Sequence, residues 1–237
     1  MNTAPSRRPI GMLILDTAFE RIPGDAGNPR TWDFPVIYRT VRNASALRVI
    51  DGEAQGLVDA FIDAGRELVA EGCAAISTTC GFLALHQERL AEALPVPVAT
   101  SSLLQVPMVE RMLRPGEKVG VVTMDAARIT KRHMTAVGVD HPVPMEGLPR
   151  DGMFWKMIAQ DAPADPRLLL KEVLDAGERL LAREPAVGAI VLECTNMPPY
   201  AARLAQHLDR PVFDVVTLVK WLAGAVAPHD YLARGEA

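Results

Sequence analysis

Only three cysteines occur in the chain, at 73, 80 and 194, together with five histidines at 86, 133, 141, 207 and 229. An odd number of cysteines behind no recognisable targeting segment predicts free thiols rather than a disulfide framework. There is no CxxC, HxH or HxxxH, so no metal site is expected. No lysine stands at a strand end, since Lys118 begins a strand and Lys131 lies on a helix; a pyridoxal cofactor is not expected either. Aromatic residues are scarce at 5%. Basic residues are scattered and the net charge is −4, which gives no footprint for nucleic acid. Every apolar stretch is broken by charge within about 10 residues, below membrane-spanning length. The apolar run at 10–15 behind MNTAPSRRPIG is too short for a signal-peptide core. The expectation is a soluble, cytoplasmic protein with no membrane partner.

What is present is ample apolar material, 49% of 237 residues, enough for one ordinary domain or two small ones. Short β-branched runs alternate with longer amphipathic segments. Strands are predicted at 9–15, 73–78, 118–123, 187–192 and 211–216. Helices are predicted at 52–71, ending at Gly72, and at 126–137, ending at Gly138. Another follows the Asp165-Pro166 start through Arg183, and a last one spans 217–227. Strands separated by helices imply an α/β fold with parallel sheets and right-handed crossovers. Residues 16–38 and 141–155, rich in proline and glycine, break this rhythm. They read as long loops, either lids carrying Trp32 and Trp155 over a cleft or plain structured connections.

The chain also contains a repeat. Residues 72–102 align without a gap on 186–216, a shift of 114 positions. Ala75-Ile76 falls on Ala189-Ile190, Cys80 on Cys194, Leu90 on Leu204, Leu94 on Leu208, and Pro97-Val98 on Pro211-Val212. Each copy reads strand, cysteine, turn, helix, proline, strand. Two pseudo-symmetric lobes follow, 1–102 and 103–216, with crossings near 100–118 and 213–217 and the first lobe completed by a C-terminal helix from 217 to 237.

In each copy the cysteine lies just past the C-terminal end of a parallel strand, where open α/β sheets bind ligands. The amides at Gly81-Phe82 and Thr195-Asn196 would point into the same crevice from helix N-termini, binding a carboxylate and lowering the thiol pKa. A pseudo-twofold axis sets Cys80 and Cys194 face to face, as two-base proton transfer at one carbon requires. Taken singly, each cysteine would read as a small buried hydrophobe; their matching places in the repeat favour chemistry. Cys73 aligns with Val187 and reads as structural.

The opening PIGMLILD, the Thr78–Phe82 segment TTCGF and the Glu193–Asn196 segment ECTN resemble the aspartate/glutamate racemase superfamily over essentially the whole chain. The resemblance implies two α/β lobes, no cofactor, a small carboxylate or amino-acid-like substrate, a homodimer, and Cys80 and Cys194 as the catalytic bases. It implies substrate contacts from Asp16, Thr195 and Thr123, with capping of the following turn as the alternative for Asp16. Gly81-Phe82 replaces the family's usual Asn-Thr after the first cysteine, and Asn196 its usual His or Glu after the second Cys-Thr. These departures point away from aspartate or glutamate towards a hydantoin or an aryl- or alkyl-substituted acid. Racemisation or epimerisation is the leading expectation. Decarboxylation, cis–trans isomerisation and plain binding of a small acid are the alternatives.

Overall fold

The computed structural model describes residues 8–229, so the last part of the expected C-terminal helix, 230–237, lies outside the described residues. Among them, β1 (Ile10–Leu15), β2 (Val36–Val41), β3 (Ala75–Thr78) and β4 (Val98–Ala99) form a parallel sheet in the order β2-β1-β3-β4. A second parallel sheet consists of β5 (Lys118–Thr123), β6 (Met145–Gly147), β7 (Val187–Leu192) and β8 (Val212–Phe213), in the order β6-β5-β7-β8. The two orders are the same, as a duplicated unit requires. The helices are α1 (Ala46–Ile50), α2 (Val58–Ala70), α3 (Gln87–Ala93), α4 (Val106–Glu110), α5 (Lys131–Ala136), α6 (Met153–Gln160), α7 (Pro166–Arg183), α8 (Ala201–Leu208) and α9 (Val215–Val226). None is long and apolar enough to cross a membrane.

Side-chain alternation along β1 fixes what each face of the first sheet packs against. Ile10 and Met12 pack with Val215, Leu218, Val219 and Leu222 of α9. Leu13 and Leu15 turn the other way, into the main core with Phe61 and Leu68 of α2. The C-terminal helix therefore crosses back to cover the first sheet. Asp214 starts it, accepting the Thr217 N–H at 2.8 Å in a capping box. Gln105, in the crossing between the sheets, donates to the Asp214 carbonyl at 2.8 Å and accepts from the Thr217 hydroxyl at 3.0 Å. Ser102 donates to the Leu192 carbonyl at 2.6 Å, which pins the same crossing to the end of β7.

Several sequence expectations need correcting. The segments 16–38 and 141–155 are not wholly loops: β2 begins at Val36, β6 occupies Met145–Gly147, and α6 begins at Met153. Both strands are edges of their sheets and only partly buried, so they lack the continuous apolar runs of β5 and β7. The helix expected from 52 begins at Val58, because Glu53, Ala54 and Gly56 all have positive φ. The one expected from 126 begins at Lys131, with Thr130 as its cap. The strand expected at 211–216 is only Val212–Phe213; Asp214 ends it by capping α9.

Phe61 is fully buried between α2 and the first sheet. Phe61→Ala should destabilise the protein by about 3–5 kcal/mol, measured as a lower midpoint in urea unfolding.

Candidate active site

Cys80 follows β3 and Cys194 follows β7, the central strands of their sheets beside the point where strand order reverses. Both thiols line one cavity between the sheets, together with Gly81, Phe82, Glu193, Thr195 and Asn196 from the same strand ends. The space open to a water-sized sphere is about 20 Å³, room for about one water. The rest of the wall is mainly apolar: Leu15, Phe19, Ala46, Ile50, Met124 and Ile158.

Thr17, Phe19 and Arg21 bring the loop after β1 onto the cavity, so this part of the 16–38 segment does wall the site. The loop is anchored on both sides. The Ala18 and Phe19 N–H groups donate to Asp161 at 2.8 and 2.9 Å. The Ala26 N–H donates to the Thr195 carbonyl at 3.2 Å, and the Asn196 amide donates to Asp25 at 2.6 Å. Gly24 has φ +102°, and a Cβ there would lie 2.8 Å from the Pro199 Cα, so only glycine lets the loop approach this closely. Arg21 lies over the Phe19 ring, its guanidinium carbon 4.4 Å from the centroid, and pairs with Asp25 at 2.9 Å. Trp32 does not reach the cavity; its indole donates to Tyr38 and props the loop from behind. Trp155 donates to the carbonyl of Met124, which itself lines the site.

The site residues expected from sequence divide clearly. Cys80, Gly81, Phe82, Cys194, Thr195 and Asn196 meet at the cavity. Asp16 does not: it is exposed, and its carboxylate accepts the Asn43 N–H at 3.0 Å, the turn-capping alternative. Thr123 is buried just behind the wall and donates to Glu193 at 2.7 Å. The Thr195 hydroxyl donates to the Thr79 carbonyl at 2.7 Å, so it ties the two cysteine segments together. Thr78 and Thr79 serve strand-end backbone: Thr78 donates to the Thr100 carbonyl and Thr79 accepts from the Leu15 N–H. Phe82 stacks edge-on against His133, while Met197 is wholly in the core.

The expectation of acidified thiols is reversed. The segments after the cysteines are 3-10 turns, Gly81–His86 and Pro198–Tyr200, rather than α-helix starts. Backbone amides of Phe82 and Leu83 at Cys80, and of Asn196 at Cys194, do favour the thiolates. Burial outweighs them, and the charge of Glu193 adds to it. Cys80 is pushed up to about 12, and Cys194 well above the ordinary thiol value.

Glu193 is the site residue that the sequence reading missed. Its side chain has no solvent exposure, one oxygen bonds Thr123, and the other is buried without a hydrogen-bond partner. Burial raises it from 4.5 to about 7, against the opposing hydrogen bonds from the Thr123 hydroxyl and the Met124 N–H. A Cβ on Gly81 would lie 2.3 Å from both the Glu193 carbonyl oxygen and Oε1. The missing side chain after Cys80 is therefore the space in which this carboxyl sits.

Two equivalent parallel sheets with a cysteine from each at a shared cavity define a two-lobed α/β protein of the racemase type. The Asp/Glu/hydantoin racemase profile matches residues 102–223, just over half of the chain, and the protein belongs to that family. Among individual relatives, a dimethylsulfoniopropionate lyase of Durusdinium sp. clade D is 25% identical, covering 95% of this chain and 74% of its own length. Dimethylsulfoniopropionate lyase 5 of Emiliania huxleyi is 27% identical over 91% of this chain, which spans only 45% of that longer protein. The fold is similar to arylmalonate decarboxylase, with TM-score 0.62, 17% identity and coverage of 97% and 94% of the two chains. It is equally similar to allantoin racemase from Pseudomonas fluorescens, with TM-score 0.62, 18% identity and coverage of 91% and 90%.

Two outcomes follow from the crowding at Glu193. Gly81→Ala should lower stability by about 1–3 kcal/mol, read by thermal unfolding. A carboxyl whose folded-state pKa is raised binds its proton more tightly when folded, so stability is lost as pH rises from about 4.5 through about 7. Glu193→Gln removes that loss, and its stability relative to the parent should improve steadily across this window in denaturant titrations.

Proposed function

We propose that the protein is an enzyme that removes the α-proton of a small carboxylic acid with Cys80 and Cys194 as an acid/base pair, and that the outcome is racemisation or epimerisation. The observation that carries this reading is the placement of one thiol from each sheet in the wall of a single cavity. One thiolate takes the proton from one face of the carbon; the opposing thiol gives a proton to the other. Negative charge develops on the substrate carboxylate or carbonyl as the proton leaves. The amides of Phe82, Leu83 and Asn196, already directed at the thiols, are fixed dipoles suited to stabilising it.

The lining supports a substrate with an apolar substituent. Phe19, Ile50, Phe82, Met124 and Ile158 line the cavity with the thiols, and Arg21, the one cation in the lining among the described residues, is paired with Asp25. A hydantoin or an alkyl- or aryl-substituted acid fits these walls better than aspartate or glutamate, whose second carboxylate would need an unpaired cation. We assign no cofactor to the reaction and the cytoplasm as its site. The lobes involved are residues 1–102, closed by the C-terminal helix, and 103–216.

A second reading is β-elimination, favoured by the match to dimethylsulfoniopropionate lyases over nearly the whole chain. It shares the first step: a thiolate takes the α-proton. A leaving group on the neighbouring carbon then departs with its bonding electrons, and an alkene forms. Elimination needs one base, whereas racemisation needs both.

Proton NMR in D₂O with chiral substituted acids, hydantoins and dimethylsulfoniopropionate separates the two. Loss of the α-proton signal with decay of optical rotation marks racemisation; new vinyl signals mark elimination. Under the leading reading, Cys80→Ala and Cys194→Ala should each lower racemisation by about 10²–10⁴-fold. Each should still exchange the α-proton of one enantiomer, and the two should prefer opposite enantiomers. Cys73→Ala should leave turnover nearly unchanged. Near-normal racemisation by the Cys80 variant would defeat the two-base assignment.

A further inference from the structure

Glu193 is a buried acid that two-thiol chemistry does not by itself require. It has no solvent exposure, and Oε1 has no hydrogen-bond partner. Leaving such an oxygen unpaired is costly unless a proton or a ligand meets it there. Its position relates it to both thiols. Glu193 immediately precedes Cys194 in the chain, and its Oε1 lies against Gly81, the residue immediately after Cys80. Its charge acts on both thiols in the same direction, disfavouring each thiolate. The repeat places Thr79 at the equivalent position in the first lobe, so one carboxyl serves both copies.

Resting on the two-thiol reading above, we infer that Glu193 is the proton carrier of the pair: its carboxylate takes the proton from either thiol to arm it, and its carboxyl returns the proton after turnover. The step is a transfer from sulfur to oxygen, Cys–SH with Glu193–COO⁻ giving Cys–S⁻ with Glu193–COOH, with no net change of charge in the cavity. The thiolate thus forms beside a neutral acid rather than beside a second negative charge. After the armed thiol has taken the substrate proton and the other has given one up, the site holds its negative charge on the opposite sulfur. Glu193–COOH can then reprotonate that sulfur, which restores two thiols and one carboxylate. The pair returns to its starting form without bulk water.

The surroundings suit a shared proton. Glu193 acts on both thiols, and the other charges that reach them, Arg21 at Cys80 and Asp25 at Cys194, are paired with each other. Thr123 holds the second oxygen, the Met124 N–H also bonds the carboxyl, and burial raises its affinity for a proton, as a group that both takes and returns one requires.

The test needs no substrate for its first arms. In a Cys73→Ala background, proteins keeping only Cys80 or only Cys194 are titrated by thiolate ultraviolet absorbance, with and without Glu193→Gln. Loss of the charge should move thiolate formation to lower pH by about one pH unit or more in both proteins. Curves left in place in both proteins would overturn the coupling of Glu193 to the thiols, and a shift in only one would overturn the shared role; the kcat arm below separates a proton carrier from a charge that merely sits nearby. The carboxyl itself is followed by ¹³C NMR of labelled glutamate. It should titrate near neutral pH and move higher in Thr123→Val, a variant that also identifies the resonance should Glu193→Gln fail to fold. A resonance titrating in the ordinary carboxylate range would overturn the inference. The last arm uses a substrate found by D₂O exchange. Glu193→Gln should lose about 10²-fold or more in kcat with KM little changed, although its thiolates form more readily. Undiminished kcat would remove Glu193 from the proton path. Failure to find any substrate would count against the proposed reaction and leave the titration arms to decide the role of Glu193.

Discussion

A fully buried carboxyl group between two sheets is the constraint around which the rest of the cavity is arranged. Glu193 fits only because residue 81 has no side chain. Thr123 at the end of β5 supplies its hydrogen bond, and its charge, with burial, pushes both thiols above the ordinary thiol value. Burying an ionisable group is unfavourable, and structures tolerate it where a function or a specific contact needs it. Here the group lies at the seam between the lobes, so the same packing that joins the sheets sets the electrostatics of both cysteines.

Polar contacts between the cysteine segments tie the seam together. Thr195 reaches across to the Thr79 carbonyl, and Asn196 to Asp25. Ser102 and Gln105 fasten the crossing to β7 and to the cap of α9. These bonds fix the relative position of the two strand ends that carry Cys80 and Cys194. The long loop after β1 then closes over the result, drawn in by a glycine that packs on Pro199.

Much of this was legible in the sequence because local patterns carried it. β5 and β7 are continuous buried runs, and their bounds were read correctly. Cysteine, leucine and proline at constant spacing revealed the duplication, and with it the matching strand ends. The edge strands β2 and β6 were hidden because a partly exposed strand in a proline-rich segment has no periodic signal strong enough to separate it from a loop. Asp16 was placed by analogy of position, whereas the chain turns immediately after β1 and carries it to the surface. The thiol acidity was misjudged for a related reason: the amides were anticipated, but not the depth of burial or the neighbouring acid. Glu193 was visible in the ECTN segment as a letter only. Its isolation depends on Gly81, more than a hundred residues earlier, and no local pattern records that contact.

The loop anchored by Asp161 has a consequence for kinetics. A cavity with room for about one water cannot admit an acid bearing a substituent while residues 17–21 stay in place. If the Ala18 and Phe19 bonds to Asp161 open to admit a ligand, the observed association rate levels off at high ligand concentration, at a ceiling set by loop opening rather than by diffusion. Departure of a product passes the same barrier. A ligand held there is cut off from solvent until the same bonds open again.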